Sequence, residues 1–220
     1  GIWLASSLPV YMYFNPSWSH AHSAFAVALF LWYWELTRLP RTKSQWVVLG
    51  LTAGLMIDVY LPNGVFLIVP AVEALLAHRT FLSERAWNSQ KTLLFAELAF
   101  GCAAFLALLP TFITRKIIFG GFLRVGSYSA YDWEWSAPHW RQVLFSTDHG
   151  VFSWTPILGL AIAGLFLGTR SARQMAAYLA AGAAAFYYLI ACYPYWCGVA
   201  SFGNRFLISL SPLYVLGLAL

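Results

Sequence analysis

Long apolar stretches, separated by short charged or aromatic segments, dominate the chain. They occupy roughly residues 1–14, 22–37, 46–61, 64–77, 93–114, 152–169, 175–193 and 206–220. A membrane-spanning helix needs about 20 apolar residues. The pattern therefore predicts an all-α, polytopic transmembrane helix bundle of about seven or eight spans, some of them short, in a single transmembrane domain over residues 1–220.

One boundary between apolar runs is very short. Only Pro62 and Asn63 separate residues 46–61 from residues 64–77. These two runs form either two short helices in thinned bilayer or one broken helical hairpin. The pattern of apolar residues leaves both alternatives open.

Composition agrees with the apolar pattern. The chain is 60% hydrophobic and 10% charged, whereas soluble domains carry roughly 25% charged residues. This excludes an ordinary soluble domain, and three cysteines in 220 residues exclude a disulfide scaffold. We interpret the net charge of +5 as a signal of membrane topology and of contact with membrane lipids. We expect no nucleic-acid partner.

The basic residues indicate which side of the membrane each loop occupies. Three loops hold eight of the 13 basic residues, namely Arg38, Arg41 and Lys43, then Arg79, Arg85 and Lys91, then Arg170 and Arg173. If every run crosses once, all three loops lie on one side, which the positive-inside bias makes cytoplasmic. The outer side then receives residues 15–21, 60–64, 115–151 and 194–205, of which 115–151 is a long extracytoplasmic loop region.

Acidic residues within the apolar runs differ in depth. Glu35, Glu73 and Glu97 lie near cytoplasmic ends, where they can pair with loop cations, so we interpret them as structural. Asp58 lies near the outer end of its run with no cation nearby in sequence. It needs a partner from another segment, and it is either a functional carboxylate or one half of a structural salt bridge.

The outer loop contains a segment that alternates between acids and rings. In an extended chain, Asp132 and Glu134 would share one face, and the aromatic residues Tyr131, Trp133 and Trp135 would share the other. One interpretation is an aromatic belt at the lipid interface. The other is a carboxylate pair that accepts a proton or sugar hydroxyls.

Two further outer clusters carry polar chemistry. Asp148 and His149 precede two hydroxyl residues where the long outer loop re-enters the membrane, and Asn204 and Arg205 stand at another membrane entrance. An Arg beside free backbone donors suits a phosphate, although snorkelling to lipid headgroups is the alternative. His20 and His22 lack a third ligand at a recognisable spacing, so we predict no metal site and no cofactor, with a divalent metal as the alternative left open.

Several segments of the sequence resemble those of a known family. They are Ser19-His20 before a span ending in Arg38, residues 49–55 leading into Pro62-Asn63, His149-Gly150-Val151-Phe152-Ser153-Trp154-Thr155-Pro156, and Ser201-Phe202-Gly203-Asn204-Arg205-Phe206. These segments look like the middle and later part of bacterial GT-C-type glycosyltransferases of family 39. That group includes protein mannosyltransferases and the lipid A aminoarabinose transferase. The resemblance covers most of the chain but less than half of a full-length member, so we expect a fragment.

The resemblance implies transfer of a sugar from a polyprenyl-phosphate donor to a glycan, lipid or protein acceptor, at the outer face of a bacterial inner membrane. It places the family's catalytic acid in a first outer loop, upstream of Gly1. Within this chain, we expect Arg205 and His149 to stabilise the departing lipid phosphate, with Arg115 or Lys116 as alternates. The residues expected to contact substrate are Asp58, Asp148, Asp132, Glu134, His20 and Asn204, the first two also being candidate catalytic acids.

A membrane transporter or lipid-carrier flippase is the alternative. Polar groups at span ends and a helix break at Pro62-Asn63 also suit a translocation path. A transporter, however, needs polar groups through the midplane, whereas this chain collects its unusual groups on the outer side. The sidedness therefore favours the enzyme.

Overall fold

The computed structural model describes residues 6–38, 40–124, 133–167, 170–199 and 201–220. Every regular element in these residues is helical, which confirms the all-α prediction. The α-helices are α1 (Ser19–Leu36), α2 (Lys43–Val59), α3 (Ile68–Ser83), α4 (Trp87–Phe119), α5 (Trp140–Phe145), α6 (Val151–Trp154), α7 (Ile157–Leu167), α8 (Arg170–Ala191) and α9 (Ser211–Ala219). A π-helical turn covers Val10–Phe14, and 3-10 helices cover Leu61–Leu67 and Arg205–Leu210.

The chain divides into two compact units. The terminal unit comprises Gly1–Ala28 and Ala130–Leu220, and the central unit comprises Leu29–Ser129. The first of the two boundaries between them, after Ala28, falls within α1. That residues 1–220 form one transmembrane domain stays a prediction.

Three helical segments are long and apolar enough to cross a membrane. They are Leu61–Ser83, Trp87–Phe119 and Arg173–Ala191, while Ile157–Leu167 and Arg205–Ala219 are shorter apolar helices. At about 1.5 Å per residue, α4 is roughly 50 Å long, longer than the hydrocarbon core of about 30 Å. It continues past its predicted end at residue 114 and stops at Gly120, whose φ of 74° is a left-handed helix cap.

The short break after residue 61 is filled by the 3-10 helix Leu61–Leu67, which leads directly into α3. α2 begins with a capping box, in which the Thr42 hydroxyl and the Gln45 side chain each accept a backbone N–H of the other residue. It ends at Val59, and the buried Asn63 amide donates to the Met56 carbonyl at 3.1 Å. The Met56 carbonyl also accepts the Tyr60 N–H at 3.4 Å, so Asn63 adds a second hydrogen bond at the end of α2.

Close packing of α2 on α4 organises the central unit. A Cβ at Gly50 would lie 2.9 Å from Ala103 Cβ, and one at Gly54 would lie 2.6 Å from Ala107 Cβ. The Gly-x-x-x-Gly spacing of Gly50/Gly54, and likewise of Gly164/Gly168, predicts helix packing, and the Gly50/Gly54 pair does pack α2 on α4. In the terminal unit Gly164 of α7 packs on the backbone of Gly217 in α9, while Gly168 lies outside the described residues.

The acids near the predicted cytoplasmic ends are paired. Arg41, whose side chain has no exposed surface, meets Glu73 at 2.7 Å, and the Trp34 indole N–H donates to the same carboxylate at 2.9 Å. Glu35 lies 3.5 Å from Arg38, so the structural interpretation of both acids is confirmed. Glu97 also pairs, with the His78 imidazole at 2.9 Å.

Candidate functional site

Two segments that the sequence separates by about 40 residues meet in the terminal unit. The His149 Nδ1 atom donates to the Cys197 carbonyl at 2.7 Å. The Trp154 ring packs edge-on against both the His149 ring (4.9 Å) and the Phe202 ring (5.6 Å). The two segments that carry the polar clusters predicted at membrane entrances therefore contact each other.

The backbone contact decides which nitrogen of His149 is free for chemistry. A carbonyl only accepts, so Nδ1 carries the proton and Nε2 holds the lone pair of the neutral ring. The imidazole is largely buried, and the neighbouring Asp148 carboxylate lies 3.7 Å from Nδ1 with most of its surface exposed. His149 can thus accept a proton at Nε2, or donate a charged hydrogen bond once it is protonated.

Arg205 stands at the start of the 3-10 helix Arg205–Leu210. Its guanidinium lies over the Trp18 ring at 4.7 Å and over the Phe206 ring at 5.0 Å. Its Nε atom is buried without a hydrogen-bond partner. Within the described parts of the chain, no hydrogen bond or ion pair reaches this guanidinium, so its planar donors are free for an anion such as a phosphate.

His20 lies beside this cation in a set of aromatic rings. It is buried, and its ring meets the edges or faces of Tyr11, Trp18 and Phe206 at centroid distances of 5.2–6.1 Å. Burial, and then the positive charge of Arg205, lower the pKa of His20 to about 4. The imidazole is therefore neutral at pH 7, and Arg205 is the cation of this pair.

Positive backbone φ angles concentrate in the same two segments, and two of them fall on residues other than glycine. Six described residues have positive φ, and four of them are His149 (66°), Gly198 (77°), Val199 (55°) and Gly203 (61°). A β-branched residue such as Val199 rarely adopts this conformation. Strain of this kind persists where the surrounding structure enforces it, which is common at functional sites.

A cavity of about 370 Å³ adjoins the site. Its lining includes Trp154, Phe202 and Asn204, and it continues over Ser6, Ser7, Val151, Thr155, Pro156, Ile157, Leu158, Gly203, Leu207, Ile208, Ser211 and Tyr214. The Asn204 amide nitrogen donates to the Trp196 carbonyl at 3.2 Å, while its Oδ1 is buried without a partner. The lining is amphipathic, with hydroxyl groups set among apolar side chains.

Glu134 belongs to the same unit but pairs locally. Its carboxylate lies 3.1 Å from His139 Nε2 and is about half exposed. The Trp133 and Trp135 rings stack at 5.3 Å, so these two rings share a side, as the alternation predicts. Asp132, the other predicted acid of this pair, and Tyr131 lie outside the described residues.

Three predicted site residues lie in the central unit. Asp58 accepts a hydrogen bond from the Thr111 hydroxyl of α4, so its described partner comes from another segment and is a hydroxyl. Lys116 donates to the Gly120 carbonyl at 3.2 Å and so caps the end of α4. Arg115 is half-buried on the same last turn.

Sequence reasoning missed the groups that orient the site. The Cys197 carbonyl, the Trp18 ring under Arg205 and the cavity serines have no sequence signal, because each acts through a contact between distant segments. In the described ranges, no three His, Cys, Asp or Glu side chains are grouped to hold a metal ion. No protein-family model, curated protein or solved structure matches the chain.

Proposed function

We propose that the chain is part of a GT-C-type membrane glycosyltransferase that transfers a sugar from a polyprenyl-phosphate donor to an acceptor. The observation that carries this proposal is the Arg205 guanidinium. It is held between the Trp18 and Phe206 rings, and its Nε atom is buried without a partner. A buried guanidinium N–H without a hydrogen-bond acceptor is costly, and a lipid-linked phosphate supplies both an acceptor and a negative charge.

The proposed reaction is a displacement at the sugar C1 atom. The acceptor oxygen or nitrogen bonds to C1 while the bond from C1 to the phosphate oxygen breaks, and its electron pair leaves with the lipid phosphate. Arg205 stabilises the charge that develops on the phosphate. A carboxylate takes the acceptor proton; Asp148 is the candidate in the terminal unit, and Asp58 stays an alternative prediction.

His149 supports the leaving phosphate in this proposal. The Cys197 carbonyl holds its Nδ1–H, which leaves Nε2 to face a ligand. A protonated imidazole at this position would add a second charged hydrogen bond, from Nε2 to the phosphate.

The adjoining cavity suits the lipid end of such a donor. Apolar side chains such as Leu158, Leu207 and Ile208 line one part of it, and they match the first isoprene units of the carrier. Asn204 and the lining hydroxyls supply polar contacts near the phosphate. The acceptor is a glycan, a lipid or a protein.

We further propose the full membrane arrangement predicted by the apolar runs. The three described candidate spans are part of a multi-pass bundle of about seven or eight helices in a bacterial inner membrane. The Arg205 site faces outward, where a polyprenyl-phosphate sugar would meet an acceptor. The basic loops support this orientation.

The test uses the full-length protein in liposomes with radiolabelled polyprenyl-phosphate hexose and pentose donors. We expect Arg205→Ala and His149→Ala to lower the rate of donor cleavage by roughly 100-fold or more. Arg205→Lys should restore only part of the rate, because an ammonium lacks the bidentate fork. Arg79→Ala, which removes an exposed arginine in the central unit, is the matched control and should cleave at the wild-type rate.

Two results would overturn the proposal. Wild-type cleavage by both Ala variants at normal expression would remove the phosphate role of this site. Movement of a fluorescent polyprenyl phosphate between leaflets, with no donor cleavage by the wild-type protein, would instead establish the flippase.

A further inference from the structure

A continuous row of aromatic rings leads to Arg205. The Trp135 ring stacks on Trp133 at 5.3 Å, and Trp133 meets Tyr193 at 5.3 Å. Tyr193 meets Phe206 edge-on at 5.6 Å, and the Arg205 guanidinium lies over Phe206 at 5.0 Å. The exposed rings at one end are thus connected by direct contacts to the cation at the other.

Backbone hydrogen bonds fix this row at the end of α8. The Glu134 and His139 N–H groups donate to the Cys192 and Ala191 carbonyls, each at 2.7 Å. The Tyr188 hydroxyl donates to the Trp135 carbonyl at 2.8 Å. The loop thereby satisfies carbonyls that the end of a helix leaves without partners, and the rings are held in place before any ligand binds.

Polar groups accompany the rings at the exposed end. Trp135 is 47% exposed, and between the two tryptophans in sequence Glu134 pairs with His139 at 3.1 Å. The Trp196 ring lies 6.1 Å from His139, and the Trp196 carbonyl binds the Asn204 amide. A carboxylate and an imidazole therefore lie beside a stacked aromatic surface that is continuous with the Arg205 site.

This combination distinguishes a sugar from a lipid as the occupant. A pyranose presents a face of C–H groups that packs on an aromatic ring, and its rim of hydroxyls donates to a carboxylate. Anchoring at a lipid interface requires only rings at headgroup depth. It requires neither a ring stack held by backbone hydrogen bonds nor a carboxylate paired with an imidazole beside that stack.

We propose that Trp133, Trp135 and Tyr193, with Glu134 and His139, form an acceptor platform that binds a neutral or amine-bearing oligosaccharide. The platform rests on the proposed function, because it names a glycan as the acceptor among the three classes left open. The bound glycan presents its terminal hydroxyl toward the Arg205 end of the row. The Glu134 carboxylate repels acidic sugars, so the platform prefers a glycan that is neutral or positively charged.

The test measures glycan binding directly. Purified full-length protein in nanodiscs is applied to an array of neutral, amine-bearing and uronic-acid oligosaccharides, and hits are titrated by tryptophan fluorescence. We expect binding to neutral or amine-bearing members, a loss of at least tenfold in affinity for Trp135→Ala and for Glu134→Gln, and near wild-type affinity for Trp135→Phe. Trp32→Ala, which removes a 60% exposed tryptophan of the central unit, should leave glycan affinity unchanged.

Three outcomes overturn the acceptor platform. They are binding of no array member by the wild-type protein, equal affinity in the wild-type protein and Trp135→Ala, and preference for uronic acids. A merely structural role for Trp135 would lower the melting temperature without changing the affinity of the folded fraction.

The proposed function fails separately. If donor cleavage is absent but Trp135-dependent glycan binding persists, the platform stands and the transferase does not. If the protein transfers sugar to a lipid or protein acceptor without binding glycans, the transferase stands and the platform does not.

Discussion

At the scale of single residues, surroundings decide the chemistry of the site more than residue type does. His20 and His149 are both buried histidines of the terminal unit. Rings and the Arg205 charge surround the first, whereas a backbone carbonyl orients the second. The first is therefore a neutral packing group beside the cation, and the second presents a free nitrogen.

The lowered pKa of His20 makes stability depend on pH. The unfolded chain binds a proton near pH 6.5, whereas folded His20 does so only near pH 4. Stability is therefore full above about pH 6.5 and falls as the pH drops from 6.5 to 4, by on the order of 3 kcal/mol. We expect the melting temperature of the purified protein to fall from pH 7 to pH 4.5, and to fall less in His20→Gln.

The neighbouring His22 supplies the control for this effect. It is exposed on the same turn of α1, so His22→Gln should lose as much stability on acidification as the wild-type protein does. An acid-induced loss in His20→Gln equal to that of the wild-type protein would refute the role of His20.

The residue types at the site were predictable, but their partners were not. Arg205, His149 and Asn204 stand out because polar residues at membrane entrances are few. The ring beneath Arg205 comes from Trp18, nearly 190 residues away in sequence. No local pattern encodes such a contact, since Trp18 also fits an aromatic belt and Arg205 also fits snorkelling to lipid headgroups.

At the scale of helices, small residues set how closely backbones approach. Gly50 and Gly54 face α4, whereas nothing lies within 4 Å of a Cβ added at Gly101 of α4. The spacing Gly-x-x-x-Gly was therefore a sound indicator of packing. The same spacing says nothing about the partner, because many helices expose an apolar face.

Alanine substitutions should change stability differently at Gly50, Gly54 and Gly101. We expect Gly50→Ala or Gly54→Ala to destabilise the protein by about 1–3 kcal/mol, because the added methyl overlaps α4. Gly101→Ala should be neutral or stabilising by up to about 1 kcal/mol, since alanine favours the helix. Thermal unfolding in one detergent measures all three. A similar loss at all three positions would contradict the packing.

The same comparison exists within α7 of the terminal unit. Gly164 contacts the Gly217 backbone, whereas a Cβ at Gly159 meets nothing within 4 Å. We expect Gly164→Ala to lower the melting temperature and Gly159→Ala to leave it unchanged or raised. Equal effects would mean that α7 and α9 do not pack at Gly164.

A buried ion pair ties α3 to the segment before α2. Arg41 has no exposed side-chain surface and contacts Glu73 at 2.7 Å. Arg41→Ala should destabilise by about 3–5 kcal/mol, because it leaves a buried carboxylate without its main cation. The double variant Arg41→Met with Glu73→Leu should recover most of this loss in a melting experiment. A double variant as unstable as Arg41→Ala would contradict this account.

At the scale of the whole molecule, the proposed orientation predicts which cysteines react from outside. In a background with Cys102→Ser and Cys192→Ser, an impermeant maleimide should label Cys197 or the more exposed Tyr195→Cys in intact cells. With Cys197 also replaced by Ser, Arg79→Cys should label only after permeabilisation, because the basic loops face the cytoplasm. The reverse pattern would invert the topology.

The helical class was predictable from apolar runs alone, because run length and low charge suffice for it. The residues at which the helices end were less predictable. α4 continues to Phe119 because Ile117 and Ile118 extend its apolar face beyond two cations. The first boundary between the two units left no sequence signal, since it falls inside α1, where composition does not change.

The left-handed backbone at His149 has a consequence for evolution. A φ of 66° suits glycine better than histidine, so the imidazole is maintained against the conformational preference of its own backbone. His149→Gly should therefore relax this strain while it removes the Nε2 atom. Selection for stability alone would favour glycine at position 149, and only selection for activity would retain the imidazole.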